Sequence, residues 1–155
     1  MAKKLRWGIL GVAKINDRLL PAFAKAANAD LVGIASRSID KAKDAAKSAG
    51  IPKAFGSYEA LLDDPHIDAI YNPLPNSLHG EWTLRAAEAG KPVLCEKTLA
   101  RDAAEARRMV DGCRRHGALR VETFTCRCHP AAPRVTHFFV EAAARRIRPC
   151  VGADS

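Results

Sequence analysis

No apolar run in the 155-residue sequence approaches the roughly 20 residues that a membrane-spanning helix needs. The opening MAKKLRWGIL sets basic residues before an apolar stretch, but Gly8 and Gly11 interrupt it and no small-residue cleavage site follows. It reads as a first strand, and the expectation is a soluble protein with no membrane partner. Cysteine is scarce and badly distributed for pairing: there are five, an odd number, and four lie beyond residue 112. That is poor evidence for the disulfide framework of a small secreted scaffold, and a reducing cytoplasm fits better. Zinc-type spacing is missing as well. Cys113-x-x-His116 and Cys126-x-Cys128-His129 do not match the common paired ligand spacings, and His137 stands alone, so no metal is expected. Internal repeats and low-complexity linkers are also lacking.

Charge of one sign is in modest excess, +8, and its distribution matters more than its size. Residues 1–100 carry 14 basic and 11 acidic side chains, the remainder 11 and 6. All ten lysines lie at or before Lys97, and every basic residue after it is arginine. A basic tail attracts polyanions, but with neither a finger spacing nor an aromatic-interleaved RNA motif, no nucleic-acid partner is expected.

What is present is alternation. With 48% hydrophobic residues the chain can bury one ordinary core. Leu5 to Leu10 and Leu31 to Ser36 are short apolar runs, and Ile15, Leu19, Leu20, Phe23 and Ala27 recur between them at helical spacing. Ala42, Ala45, Ala46 and Ala49 form a second helical stripe, stopped by Gly50 and Pro52. Ser57 predicts the N-cap of a short helix over Tyr58, Leu61 and Leu62, followed by a strand from Ile67 to Tyr71. Asn76 is expected to cap a helix carrying Leu78, Trp82, Ala86 and Ala89, ended by Gly90. Pro92 to Cys95 is a strand, Asp102 with Glu105 resembles a capping box opening a helix to Gly117, and Leu119 to Thr123 closes the series. A helix at 134–145 and a strand at 147–151 follow. Regular alternation implies parallel strands with right-handed crossovers, hence an α/β doubly wound sheet of Rossmann type with strands beginning near Leu5, Leu31, Ile67, Pro92 and Leu119.

In such a sheet the first strand-to-helix turn can receive a phosphate, because a helix N-terminus presents unpaired N–H groups and a favourable dipole. Here that turn is Gly11-Val12-Ala13-Lys14-Ile15-Asn16; of the G-x-G-x-x-G fingerprint only the first glycine survives, with Ala13 and Asn16 in the other places. A plain turn would also account for Gly11 taken alone. The second strand ends in Ala35-Ser36-Arg37-Ser38, where an acid would hold the ribose hydroxyls of NAD. An arginine between two serines instead suits the additional phosphate of NADP, although a solvated loop arginine fits the same position.

Residues 69–100 read AIYNPLPNSLHGEWTLRAAEAGKPVLCEKTLA. Pro75 and His79 in a loop-and-helix, followed by Ala89-Gly90-Lys91-Pro92-Val93-Leu94-Cys95-Glu96-Lys97, resemble the signature of the Gfo/Idh/MocA oxidoreductases, typified by glucose-fructose oxidoreductase and inositol dehydrogenase. The similarity is strongest to the branch of dihydrodiol and xylose dehydrogenases, and it spans residues 5 to 130. The resemblance implies hydride transfer between a sugar or polyol hydroxyl and a nicotinamide dinucleotide, NADP with NAD as the alternative. It places Lys97 by the reacting carbinol with Glu96 as its orienting partner, and Pro73, Leu74, Asn76, His79 and Arg127 in the cofactor cleft. Without it, Lys97 reads as an ordinary exposed lysine.

Three departures accompany the resemblance. Thr98 stands where the family usually has proline, which leaves the backbone that aims Lys97 less constrained. Thr125 and Cys126 replace a Met-Tyr pair in Glu122-Thr123-Phe124-Thr125-Cys126-Arg127-Cys128-His129-Pro130. The family also continues into a second α+β domain that contributes an Asp and a His. The expected organisation is therefore a dinucleotide-binding domain over 1–123 and, over 124–155, the start of a truncated second domain. The alternative function is a nucleotide-binding fragment or association module without turnover.

Overall fold

A computed structural model of the chain describes residues 4–123. By compactness the chain divides into two units, Met1–Thr123 and Phe124–Ser155. Arg127 and the elements expected at 134–145 and 147–151 lie outside the described residues.

Six strands form one sheet: β1 (Leu5–Leu10), β2 (Ala29–Ala35), β3 (Lys53–Phe55), β4 (Ala69–Asn72), β5 (Val93–Cys95) and β6 (Arg120–Glu122). Their order is β3-β2-β1-β4-β5-β6, and every pair is parallel. The chain walks outward from β1 to β3, then returns to lay β4 on the other side of β1. That reversal opens a crevice between β1 and β4 at the carboxyl ends of the strands, where doubly wound sheets take their ligands.

Between the strands run α1 (Asn16–Lys25), α2 (Ile39–Ala49), α3 (Tyr58–Leu62), α4 (Asn76–Glu88) and α5 (Ala103–Arg115). Because successive strand residues face opposite sides, neighbours in sequence enter different cores. Leu10 and Ile70 pack with Leu61, Trp82 and Ala86 on one face, while Ile9 and Tyr71 pack with Ile34, Ala46 and Ile51 on the other. All four residues of β4 are buried, as a central parallel strand covered on both faces requires. A Cβ on Gly8 would come within 2.7 Å of Leu61 Cδ2 and 2.9 Å of Ile67 Cδ1, so only glycine lets α3 approach β1 this closely.

The caps explain most helix boundaries. Ser57 accepts from Ala60 N at 3.1 Å, and Asp102 accepts from Glu105 N at 2.7 Å. The Glu105 carboxylate completes its half of the box one residue further back, on Arg101 N at 2.8 Å. Two expectations differ from what is observed. Asn76 is the first helical residue of α4, not its cap; Pro75 holds that position without a side-chain bond, because the Asn76 amide donates to Thr98 Oγ1 at 3.0 Å. Strand β3 is additional. Its three half-buried residues make no apolar run of their own and are recruited by pairing with Gly33, Ile34 and Ala35 of β2.

Lys91, part of the run that carries the family resemblance, is structural. Its ammonium is buried and donates to Asp64 O at 2.7 Å and Ile67 O at 2.6 Å, clamping the turn before β4. Burial holds its pKa below the ordinary lysine value. Among the described residues no helix is long and apolar enough to cross a membrane.

Candidate functional site

The turn after β1 is shaped by one bond and one close approach. Gly11 N donates to Ala35 O at 2.8 Å, and Gly11 adopts φ +91°, a conformation that favours glycine. A Cβ there would meet Leu74 Cδ2 at 2.9 Å. Helix α1 then starts without a side-chain cap. Among the described residues, the N–H groups of Val12, Ala13, Lys14 and Ile15 meet no acceptor, while Asn16 N bonds Ala13 O at 2.9 Å. Four free donors at the positive end of a ten-residue helix form an anion seat. Asn16, in the place of the third glycine, is buried and donates through Nδ2 to Gly11 O at 3.0 Å, bracing the turn from behind.

A cleft of about 850 Å³ opens over this turn. Gly11, Ala13, Ser36, Arg37, Pro73 and Leu74, all expected from the sequence, line it together. Lys14, Ile15 and Asn16 stand beside it at the start of α1, and Asn16 lines an adjoining hollow of about 300 Å³. Ser38 faces its own helix, where it caps α2 by accepting from Lys41 N at 3.5 Å. Ser36 Oγ accepts from Ser38 N at 3.3 Å. The two serines therefore shape the loop through the oxygens of their hydroxyls, and Arg37 is exposed and without an ion pair among the described residues.

Sequence reasoning missed Lys41, Asp44, Ser48 and Tyr58, which also line the cleft. Lys41 had a readable signal: it falls in the first turn of the helix that Ser38 caps, beside Arg37. Missed too was Asn72 at the end of β4. It is fully buried, its Oδ1 accepts from Leu74 N at 3.2 Å, and its Nδ2 reaches Thr83 Oγ1 at 3.3 Å. Its carbonyl accepts from Glu96 N at 3.0 Å, so one residue fixes both loops that close the crevice.

Those loops carry the remaining expected residues. Glu96 follows β5 and is half-buried; Oε1 accepts from the Tyr71 hydroxyl at 2.7 Å, and Oε2 accepts from Lys97 N at 3.3 Å. Burial, and then the bond to Glu96, raise the Tyr71 pKa above the ordinary tyrosine value. Glu96 thus steadies the backbone of Lys97, not its ammonium. Lys97 is exposed and makes no ion pair among the described residues. The neighbouring Cys95 thiol is pushed up to about 12 by burial, which keeps it protonated and inert. His79 is completely buried, with Nε2 2.6 Å from Leu74 O and Nδ1 2.8 Å from Thr98 O, so it meets the cleft only through the loops it holds.

The profile of the oxidoreductase family with an NAD-binding Rossmann fold, GFO_IDH_MocA, matches residues 5–124. The chain belongs to this family. Members similar to it include an uncharacterized oxidoreductase of Rhizobium meliloti, 46% identical over 127 residues that make up 81% of this chain and 38% of the relative. D-xylose 1-dehydrogenase (NADP(+)) 2 of Haloferax volcanii is 42% identical over 130 residues, 84% of this chain and 40% of that one. Among solved structures, KijD10, a 3-ketoreductase from Actinomadura kijaniata in complex with NADP, superposes with a TM-score of 0.83 at 38% identity, covering 90% of this chain and 45% of its own. The chain thus spans less than half the length of these family members.

Proposed function

We propose that this chain is the dinucleotide-binding part of an NADP-dependent oxidoreductase that moves a hydride between a sugar- or polyol-type hydroxyl and a nicotinamide. The observation that carries this reading is the joint presence of the free N–H groups of Val12 to Ile15 and the cations Arg37 and Lys41 at one cleft; Lys97, which does not line that cleft, follows the neighbouring strand β5. The donors of the Gly11 turn suit a pyrophosphate. Arg37 offers a planar fork, and Lys41 a second positive charge, for a 2′-phosphate on the adenosine ribose. NADP on KijD10 and the NADP(+) in the name of the xylose dehydrogenase support that choice over NAD. Pro73 and Leu74 give the crevice an apolar wall, which excludes water from one side.

Bound there, the dinucleotide supplies or accepts the hydride. The residues of this chain handle the accompanying charge. The Lys97 ammonium is unpaired and exposed, so it is free to donate to the carbinol or carbonyl oxygen and to stabilise the negative charge that develops on it. Tyr71 and Asn72 hold Glu96, and Glu96 holds the Lys97 backbone. The domain boundary at Thr123 and a cytoplasmic location belong to the same reading. A second reading is dinucleotide binding without turnover; the Gly11 turn and the Arg37 loop would serve it equally, since neither touches the reacting oxygen in the first reading.

One experiment separates the readings: NADPH binding and NADP(H)-linked turnover of sugars and polyols, measured on the unmodified chain and on Lys97→Met. The enzymatic reading expects turnover that falls by about 10²-fold in Lys97→Met with cofactor affinity preserved. Saturable binding with no turnover establishes the second reading, and absence of NADPH binding refutes both.

A further inference from the structure

Helix α4 begins over the joint between two loops of the crevice, and its first turn is built to join them. The buried imidazole of His79 lies between two backbone carbonyls that are far apart in sequence, Leu74 O at 2.6 Å and Thr98 O at 2.8 Å. Leu74 belongs to the apolar wall of the cleft, and Thr98 directly follows Lys97. Both partners are acceptors, so the ring donates its one N–H to one carbonyl or, doubly protonated, an N–H to each; packed between the two loops with only two soft torsions, it limits their separation more tightly than a flexible side chain could. From the same turn of α4, Asn76 Nδ2 donates to Thr98 Oγ1 at 3.0 Å, a bond that proline at this position could not make. Further supports fix the segment on either side of Lys97: Glu96 N on Asn72 O at 3.0 Å, and Leu99 N on Glu122 Oε1 at 2.9 Å. None of these bonds uses the Lys97 ammonium. The device sets where the Lys97 backbone sits and leaves its side chain free.

We propose that His79, with Asn76 and Thr98, is a positioning device that registers Lys97 against the wall of the cofactor cleft. His79 acts through the backbone of Leu74 and Thr98 and touches neither cofactor nor substrate. The proposal rests on the reading of this cleft as a nicotinamide dinucleotide site. It adds the claim that aiming Lys97 at that site depends on α4 as well as on Glu96.

The test uses the full 155-residue chain and N-hydroxysulfosuccinimidyl acetate as an amine probe, with acetylation of Lys97 read by peptide mass spectrometry against exposed Lys25 on α1 as the reference. In the unmodified chain, saturating NADPH should slow Lys97 acetylation by about tenfold and leave Lys25 unchanged. His79→Phe keeps an aromatic ring and removes both carbonyl contacts; it should bind NADPH within about threefold of the unmodified chain, yet shield Lys97 by no more than about twofold. Should His79→Phe not fold, Thr98→Val and Thr98→Ser decide: valine should lose the shielding and serine, which retains the hydroxyl, should restore it. Full shielding in folded His79→Phe overturns the proposal, as does equal shielding in Thr98→Val and Thr98→Ser where that pair decides. Lys97 unshielded by bound NADPH in the unmodified chain also overturns it. Failure of the unmodified chain to bind NADPH at all instead removes the underlying cofactor reading.

Discussion

Replacing Arg37 by alanine should weaken NADPH binding by about ten- to thirtyfold and leave NADH binding within about twofold. Arg37 lies on the loop between β2 and α2, lines the cleft, and has no competing carboxylate among the described residues. A charge-assisted hydrogen bond contributes about 1.5–3 kcal/mol, and about 1.4 kcal/mol corresponds to a tenfold change in affinity. Arg37 is exposed, so screening places the effect toward the lower end of that range. Lys41 reaches the same cleft as a point charge, and its removal should cost NADPH a further threefold or so. Asp44 lines the cleft with the opposite sign, so Asp44→Asn should strengthen NADPH binding slightly. Fluorescence titration of both cofactors at two salt concentrations reads all three effects, and the preference for NADPH should shrink as salt rises. An Arg37→Ala variant that weakens NADPH and NADH equally, or neither, would refute the assignment of this loop to the 2′-phosphate.

Other elements give independent checks. Gly11→Ala places a Cβ 2.9 Å from Leu74 Cδ2 on backbone at φ +91°; it should destabilise the fold by about 1–3 kcal/mol and abolish NADPH binding, read by calorimetry and titration. Tyr71→Phe removes the 2.7 Å bond to Glu96 and should cost about 1–2 kcal/mol in denaturant unfolding, whereas a change within error would mean Glu96 has another partner. Glu105 is hydrogen-bonded by the Arg101 side chain and backbone, which hold its carboxyl below the ordinary 4.5. The stability it contributes is therefore present above that value and lost as pH falls through the lower folded-state value. Glu105→Gln should lower Tm at pH 7 and converge with the unmodified chain as pH falls below the depressed Glu105 pKa, and an undiminished difference in acid would contradict the linkage.

Much of the fold was legible because each local signal agreed with the next. The strands at Leu5 and Pro92 and the caps Ser57 and Asp102 announce themselves through apolar runs and hydrogen-bonding side chains, and all are observed. β3 was not legible, because pairing with β2, not its own residues, makes Lys53–Phe55 a strand. In the site, Gly11 and Arg37 could be found from chain position alone, since a strand-to-helix turn and the end of the second strand have fixed meaning in this topology. The polar brace could not. Asn72, Tyr71 and His79 act through contacts across the sheet and between loops, with partners 2 to 25 residues distant, and residue type gives no hint of which carbonyl or carboxylate each will meet. Thr98 read from sequence was a loosened proline position; in the structure it is the residue that Asn76 and His79 hold.

The crevice edge beside the Gly11 turn is the proposed seat of a nicotinamide dinucleotide. Titrating NADPH into ¹⁵N-labelled chain and mapping the amide shifts tests it most directly. Saturable one-to-one binding is expected, with the largest changes at Val12 to Ile15, Arg37, Lys41 and Leu74. Absence of saturation would contradict it, and so would shifts centred on the apolar hollow at the opposite end of the sheet, lined by Leu5, Trp7 and Phe23.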